Sequence, residues 1–203
     1  MTPNMAIQNN MKISSNILFL CILFYSTISY AEIITKTISF DPAPIPTGSR
    51  AITSYTESGY FFSTPIWMGH CGGANNSNFM PNNGTGYLNF GVNSLPLTIV
   101  RIDKRQPVFS LIQVDLAHYS LYFSTNIVEF KGIHTDGSVT YQNFELTDGI
   151  NFKTFVFNPG FSDLVSVEIN SVGYAMDNVL MSTNMPPLPK DLFLPAILQL
   201  LLK

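Results

Sequence analysis

Cysteine is nearly missing from this chain. Of two in 203 residues, Cys21 sits in an apolar N-terminal run, which leaves Cys71 alone in the body of the protein and excludes an internal disulfide framework there. Charge is scarce as well, at 11% of residues, and the densest basic group, Arg101, Lys104 and Arg105, is interrupted by Asp103. That excludes a grip on a phosphate backbone and nucleic acid as a partner. No stretch between Glu32 and Ser182 carries apolar residues at helical spacing over three turns, which excludes a helical domain. Nor does any apolar run reach the ~20 residues that a helix needs to cross a bilayer.

The two apolar runs that do exist lie near the ends. Ile17–Ile28 is preceded by Lys12 and followed by Ser29-Tyr30-Ala31, small residues three and one positions before a cut, and so reads as a secretory signal peptide ending at Ala31. Removal leaves thirteen acidic side chains against nine basic ones and a chain long enough for one domain with a real core. At the other end, Asn184-Met185-Pro186-Pro187-Leu188-Pro189 forms a proline-rich linker, and Leu192–Leu202 is an apolar tail too short to span a membrane alone. The expected organisation is a signal peptide over 1–31, a domain over 32–182, and linker plus tail over 183–203. Membrane contact is then confined to the signal peptide and the tail, in an exported protein that is periplasmic, on the cell surface or secreted.

What the domain does contain is short, alternating, aromatic-rich runs punctuated by Gly, Asn, Asp and Pro, the pattern of an all-β sandwich. Ile34, Lys36, Ile38 and Phe40 give one face of a first strand. A second run begins near Ile52 and continues through Tyr60-Phe61-Phe62. Further strands are expected over 95–102, 109–116, 127–130, 139–146, 153–157, 164–169 and 175–181, roughly nine in all. Asp136-Gly137 and Asp148-Gly149 supply hairpin turns. Thr64–Gly86, dense in Gly and Asn, reads as a long surface loop, the place where binding elements concentrate.

In the order they occur, Thr56-Glu57-Ser58-Gly59-Tyr60-Phe61, Phe109–Leu116, Phe130-Lys131-Gly132, Asp136–Val139, Phe144-Glu145-Leu146, Thr154-Phe155, Phe161–Leu164 and Ala175-Met176-Asp177-Asn178-Val179 resemble the exported bacterial β-sandwich domain of PEP-CTERM-type proteins. Pro187-Leu188-Pro189 resembles the Val-Pro-Leu-Pro-Ala variant of that group's sorting motif. Lys190-Asp191 follows at once and Lys203 stands alone, so the tail is a degenerate or truncated sorting signal. The resemblance implies an antiparallel, jelly-roll-like β-sandwich, sorted by an exosortase and associated with envelope polysaccharide.

Candidate site residues follow from the loop and from the strand ends. Trp67, His70 and Tyr87, in or beside Thr64–Gly86, are the expected ligand-binding side chains, stacking on a sugar while Asn75 and Asn78 bond its hydroxyls. The competing assignment makes the single Trp a core plug. Asp41 and Asp177 become neighbours once a jelly roll brings its terminal strands together, and with Glu57 they are the expected ligands of a structural calcium ion. The competing assignment makes Asp177 a turn residue and Asp41 a pre-proline cap. His70-Cys71 lacks an orienting partner for a nucleophile, and His118 and His134 lack metal spacing. The function expected is a non-catalytic, glycan-binding envelope or extracellular module. The alternative is a secreted glycosidase-like hydrolase drawing an acidic pair from Glu57, Glu129, Glu145 and Glu168.

Overall fold

Turn chemistry and strand alternation set the path of the chain. The computed structural model describes residues 32–43, 47–73, 79–91, 96–103, 107–122, 125 and 127–185. The signal segment, Asn75, Asn78 and the tail beyond Met185 lie outside the described residues. Within them run eleven strands: β1 (Glu32–Ile38), β2 (Thr47–Glu57), β3 (Tyr60–Gly73), β4 (Tyr87–Phe90), β5 (Leu97–Arg101), β6 (Ser110–His118), β7 (Ile127–His134), β8 (Val139–Glu145), β9 (Lys153–Val156), β10 (Leu164–Ile169) and β11 (Tyr174–Met185). A 3₁₀ turn spans Pro159–Phe161, and no α-helix occurs among the described residues. The fold is all-β, as the alternation predicts.

Strand order is β8-β7-β10-β5-β3-β4-β11-β6-β9, with β2 paired to β3 and β1 to β11. β3 is the strand that turns this series into two layers. Its first part, Tyr60–Ser63, pairs with β5, and its later part, Gly69–Cys71, pairs with β4. Between them Thr64–Trp67 stand opposite Thr53 alone, because Ile52 faces Met68 and Ser54 faces Ser63. Extra residues on one strand of a pair bend it and break the ladder, and Pro65 has no amide to contribute there. The first sheet is therefore β8-β7-β10-β5 with the start of β3, and the second is the end of β3 with β4, β11, β6 and β9. The β1–β11 pairing brings the two ends of the domain together, the jelly-roll feature expected from sequence.

The inward faces supply one aromatic-rich core. Phe62, Ile99 and Val167 of the first sheet and Met68, Leu88, Val114 and Met176 of the second are completely buried. Phe130, Phe144 and Phe157 pack edge to face, with centroids 5.0–5.6 Å apart, a geometry in which ring edges meet ring faces favourably. The edge between β8 and β9 is bridged by a side chain: Gln142 Nε2 donates to Val156 O at 3.0 Å, and its Oε1 accepts from Asn158 N at 2.8 Å.

Four expectations need correction. Tyr60–Phe62 does not continue the strand from Ile52, because Ser58 (φ 51°) and Gly59 (φ 86°) form a tight turn and make β2 and β3 a hairpin; two consecutive positive φ values match the twist of such a pair. Thr64–Gly73 is not loop but the second part of β3, and Tyr87–Phe90 is a separate strand. Asp136-Gly137 closes the β7–β8 hairpin as expected, whereas Asp148-Gly149 joins β8 to β9, which pairs with β6 instead. The last strand runs through Met185, past Ser182, so Thr183–Met185 are strand rather than linker.

Candidate functional site

Strand alternation puts a second, smaller cluster on the outward side of the second sheet. Cys71, Tyr87, Ala117 and Ala175 are buried there, with Phe152 packed against them. The segment Pro81–Gly86, leading into β4, lies over this face and is tied down at several points. Tyr87 Oη donates to Pro81 O at 2.8 Å. Asn83 Nδ2 and Thr85 Oγ1 donate to Asp177 Oδ2 at 2.6 and 3.0 Å, and Gly86 N donates to Asp41 Oδ1 at 2.6 Å.

Asp177 has no solvent exposure. Its Oδ1 accepts from Asn178 N at 2.7 Å, in a residue whose φ of 45° marks the bulge that swings this part of β11. Burial pushes its carboxyl up to about 6, against the pull of the Asn83, Asn178 and Thr85 donors, while the Asp115 charge adds to the rise. Asp115, opposite Asp177 on β6, is held by Thr154 Oγ1 at 2.5 Å and Asn178 Nδ2 at 2.9 Å.

The predicted ligand-binding trio does not assemble. Tyr87 is completely buried, so it offers no face to a sugar. His70 is 5% exposed, its Nε2 is 2.7 Å from Phe40 O, and its ring meets Tyr55 edge to face at 5.0 Å. Since a carbonyl only accepts, that nitrogen carries the proton. Both are buried because β3 and β4 are central strands, not rims of a loop: His70 meets Tyr55 on the inward side, and Tyr87 lies on the outward face beneath the Pro81–Gly86 segment. Trp67 alone keeps part of its surface. Its ring lies near Gly91, where a Cβ would sit 3.7 Å from it, and with Ala51–Ser54 it lines an open groove of about 430 Å³.

The three carboxylates expected to hold calcium are each engaged by protein donors. Asp41 and Asp177 converge on one segment, where their oxygens accept hydrogen bonds from Gly86, Asn83, Thr85 and Asn178. The Glu57 carboxylate accepts from Ser39 N and Phe40 N at 3.2 and 3.0 Å and from Tyr55 Oη at 2.8 Å. Among the described residues no three His, Cys, Asp or Glu side chains gather as a metal site.

Catalytic alternatives find equally little. Glu57 is occupied as just described, and Glu168 pairs with Lys131 at 2.8 Å. The Cys71 thiol is buried, and burial pushes it up, away from the thiolate a nucleophile needs. His118 sits 3.2 Å from Leu146 O, far in the chain from His70.

One feature escaped the sequence reading. Phe79 is 47% exposed, Leu121 55% and Tyr122 71%, and the Phe79 and Tyr122 rings lie 5.2 Å apart at a 38° tilt. Leu121 N donates to Phe79 O at 3.1 Å, which joins the segment before β4 to the β6–β7 connection. That connection is itself fixed by Tyr119 N and Thr125 N, both donating to Gly173 O. The available signal was composition: Tyr119-Ser120-Leu121-Tyr122 is an aromatic-rich turn between two strands, where apolar bulk has no core to fill.

No protein-family model matches the chain, and no characterised protein matches it in sequence. Solved structures share its general form at low similarity. A DUF4465 family protein from Bacteroides ovatus aligns over 75% of this chain and 99% of its own at 10% identity and TM-score 0.41. A mutant of the family 29 carbohydrate-binding module CBM29-2 aligns over 74% and 92% at 9% identity and TM-score 0.38. The family 32 module of C. perfringens NanJ, in complex with galactose, aligns over 75% and 99% at 15% identity and TM-score 0.31.

Proposed function

We propose that this chain is an exported, non-catalytic β-sandwich module of the cell envelope or extracellular space that holds a neutral glycan against the Phe79–Tyr122 ring pair. The carrying observation is that pair: two large rings from different segments, in contact with each other and open to solvent. Apolar bulk that could have been buried is instead displayed, and clustered display of this kind marks an interaction surface. A sugar ring suits it, because its C–H face covers an aromatic ring while its rim hydroxyls reach polar groups beside it. The acidic excess of the chain disfavours polyanionic glycans.

Export rests on the Lys12 to Ala31 pattern. Membership of the PEP-CTERM-type group, with the tail from Pro187 as a worn sorting signal, belongs to the same proposal, and cell fractionation tests it. The binding reading is tested on an array of neutral oligosaccharides. The intact domain should retain at least one ligand, and Tyr122→Ala and Phe79→Ala should each weaken it about tenfold or more, equivalent to about 1.4 kcal/mol, without lowering the melting temperature. No retained ligand, or full retention by Tyr122→Ala, overturns the reading; loss confined to Trp67→Ala moves the site to the groove on β2.

A further inference from the structure

We infer that Asp177 is a positioning residue for the aromatic pair: from beneath the second sheet's covering segment it fixes Asn83 and Thr85, and through them the approach of Phe79 to Leu121 and Tyr122. This inference rests on the glycan-binding reading for its purpose, though not for its geometry. The geometry is a chain of short links. A single carboxylate oxygen takes both Asn83 Nδ2 and Thr85 Oγ1, Pro81 O is held by Tyr87 Oη, and Phe79 O closes the series by accepting from Leu121 N. A buried carboxylate is an expensive anchor unless its lone pairs are met. Here three donors meet them, two from the covering segment itself.

The anchor is also titratable. With the segment docked, Asp177 is buried and its carboxyl lies near pH 6; with the segment lifted it meets water and returns toward the ordinary carboxylate range of about 4. The docked form therefore binds its proton more tightly, and by linkage docking strengthens as pH falls through 6. The charged groups around it are Asp115 on β6, a like charge that adds to the rise, and Asp41 after β1, which holds Gly86 of the same segment. His70 after the bulge of β3 is spent on Phe40 O. Acid tightens this clasp.

Backbone hydrogen exchange tests the inference without any ligand. The Leu121 amide, bonded to Phe79 O, reports docking, and amides of the β5–β10 ladder report global stability. In the unmodified domain, Leu121 protection corrected for intrinsic exchange should rise from pH 7 to pH 5. Asp177→Asn should remove that pH dependence, and Asp177→Ala should reduce Leu121 protection about tenfold or more, the scale of losing hydrogen bonds to a charged group, a larger loss than that of the β5–β10 amides. Should Asp177→Ala not fold, Asn83→Ala with Thr85→Val removes the same two bonds from the other side and should give the same local loss. Leu121 protection that is insensitive to pH and to these changes overturns the inference. A domain that shows the coupling and yet retains no array glycan keeps the positioning role and overturns only the binding reading.

Discussion

The two sheets treat their outward faces in opposite ways. On the first sheet, Tyr141 faces Lys131 and Val139 faces Ile133, and Tyr141 and Val139 remain 54% and 48% exposed. The Lys131–Glu168 pair on the same face has side chains 27% and 32% exposed. On the second sheet the corresponding face is closed: Cys71, Tyr87, Ala117 and Ala175 are buried, and Asp177 has no exposure at all. Strand alternation is the same in both, so the difference comes from what lies above. Water satisfies the polar groups of the first face, and a carboxylate in it is nearly free of consequence. Under the Pro81–Gly86 cover each polar atom needs a protein partner, and the cover and the strand beneath become one energetic unit.

The sharpest way to break this contrast is to crowd the cover. A Cβ on Gly86 would lie 2.3 Å from Phe40 O, a backbone atom, and 3.0 Å from Asp41 Oδ1; neither can yield without lifting the segment. Gly86→Ala should therefore destabilise the domain by about 3 kcal/mol, the upper end of ordinary overpacking, read from urea unfolding. Gly132 on the first sheet is the control. A Cβ there would meet Leu164 Cδ2 and Thr140 Cγ2, both at 2.8 Å, which are side-chain ends that can rotate aside, so Gly132→Ala should cost about 1 kcal/mol. Equal losses at the two positions would mean that the cover yields no less readily than the side chains packed around Gly132 on the inward face of β7.

The next effect in size is the pH dependence of overall stability. The Asp177 carboxyl moves from 3.8 to about 6 on folding because burial disfavours its charge. Between those values the folded chain binds more protons than the unfolded one, so stability falls as pH rises through that window and levels off above it. Two pH units correspond to on the order of 2–3 kcal/mol. Denaturant midpoints taken from pH 4 to pH 8 should show this loss in the unmodified domain, and Asp177→Asn should flatten it. Identical slopes for the two proteins would place the titrating group elsewhere.

How much of this was legible in the sequence differs between the same two regions. The first sheet reads almost directly, because β7, β8 and β10 are hairpin or ladder strands with turn residues at their ends; Leu164–Ile169 matches its observed strand, and Asp136-Gly137 marks its turn. The region around β3 does not. Ser58-Gly59 is a hairpin turn hidden between runs that look continuous, and Gly69, Gly72 and Gly73 suggest a loop although Gly69 sits in strand because the Asn89 side chain occupies the space where its Cβ would be. That error carried His70 and Tyr87 from buried positions to an imagined rim. The convergence of Asp41 and Asp177 was legible from strand-end proximity, but the Asn83, Thr85 and Gly86 donors were not, since nothing in their spacing distinguishes a proton donor to a carboxylate from a neighbour of a bound ion. Phe79 and Tyr122 are far apart in sequence, and only the fold brings their rings together.

The smallest expected effect sharpens the contrast from the open side. Lys131 Nζ and Glu168 Oε2 make a 2.8 Å pair on the first sheet, shorter than the Thr85 bond to Asp177, and the Glu168 bond raises the Lys131 ammonium. Distance alone would rank the two carboxylates together. Exposure ranks them apart, because both ions of the surface pair can return to water when the partner is removed, and salt screens them while they remain paired. Glu168→Gln should leave the urea midpoint where it is at physiological ionic strength, with at most a slight shift that vanishes in 1 M salt. A clear, salt-insensitive loss from Glu168→Gln would show that the first sheet also carries something over its outward face, and would make it a second covered surface rather than the open reference against which Asp177 is judged.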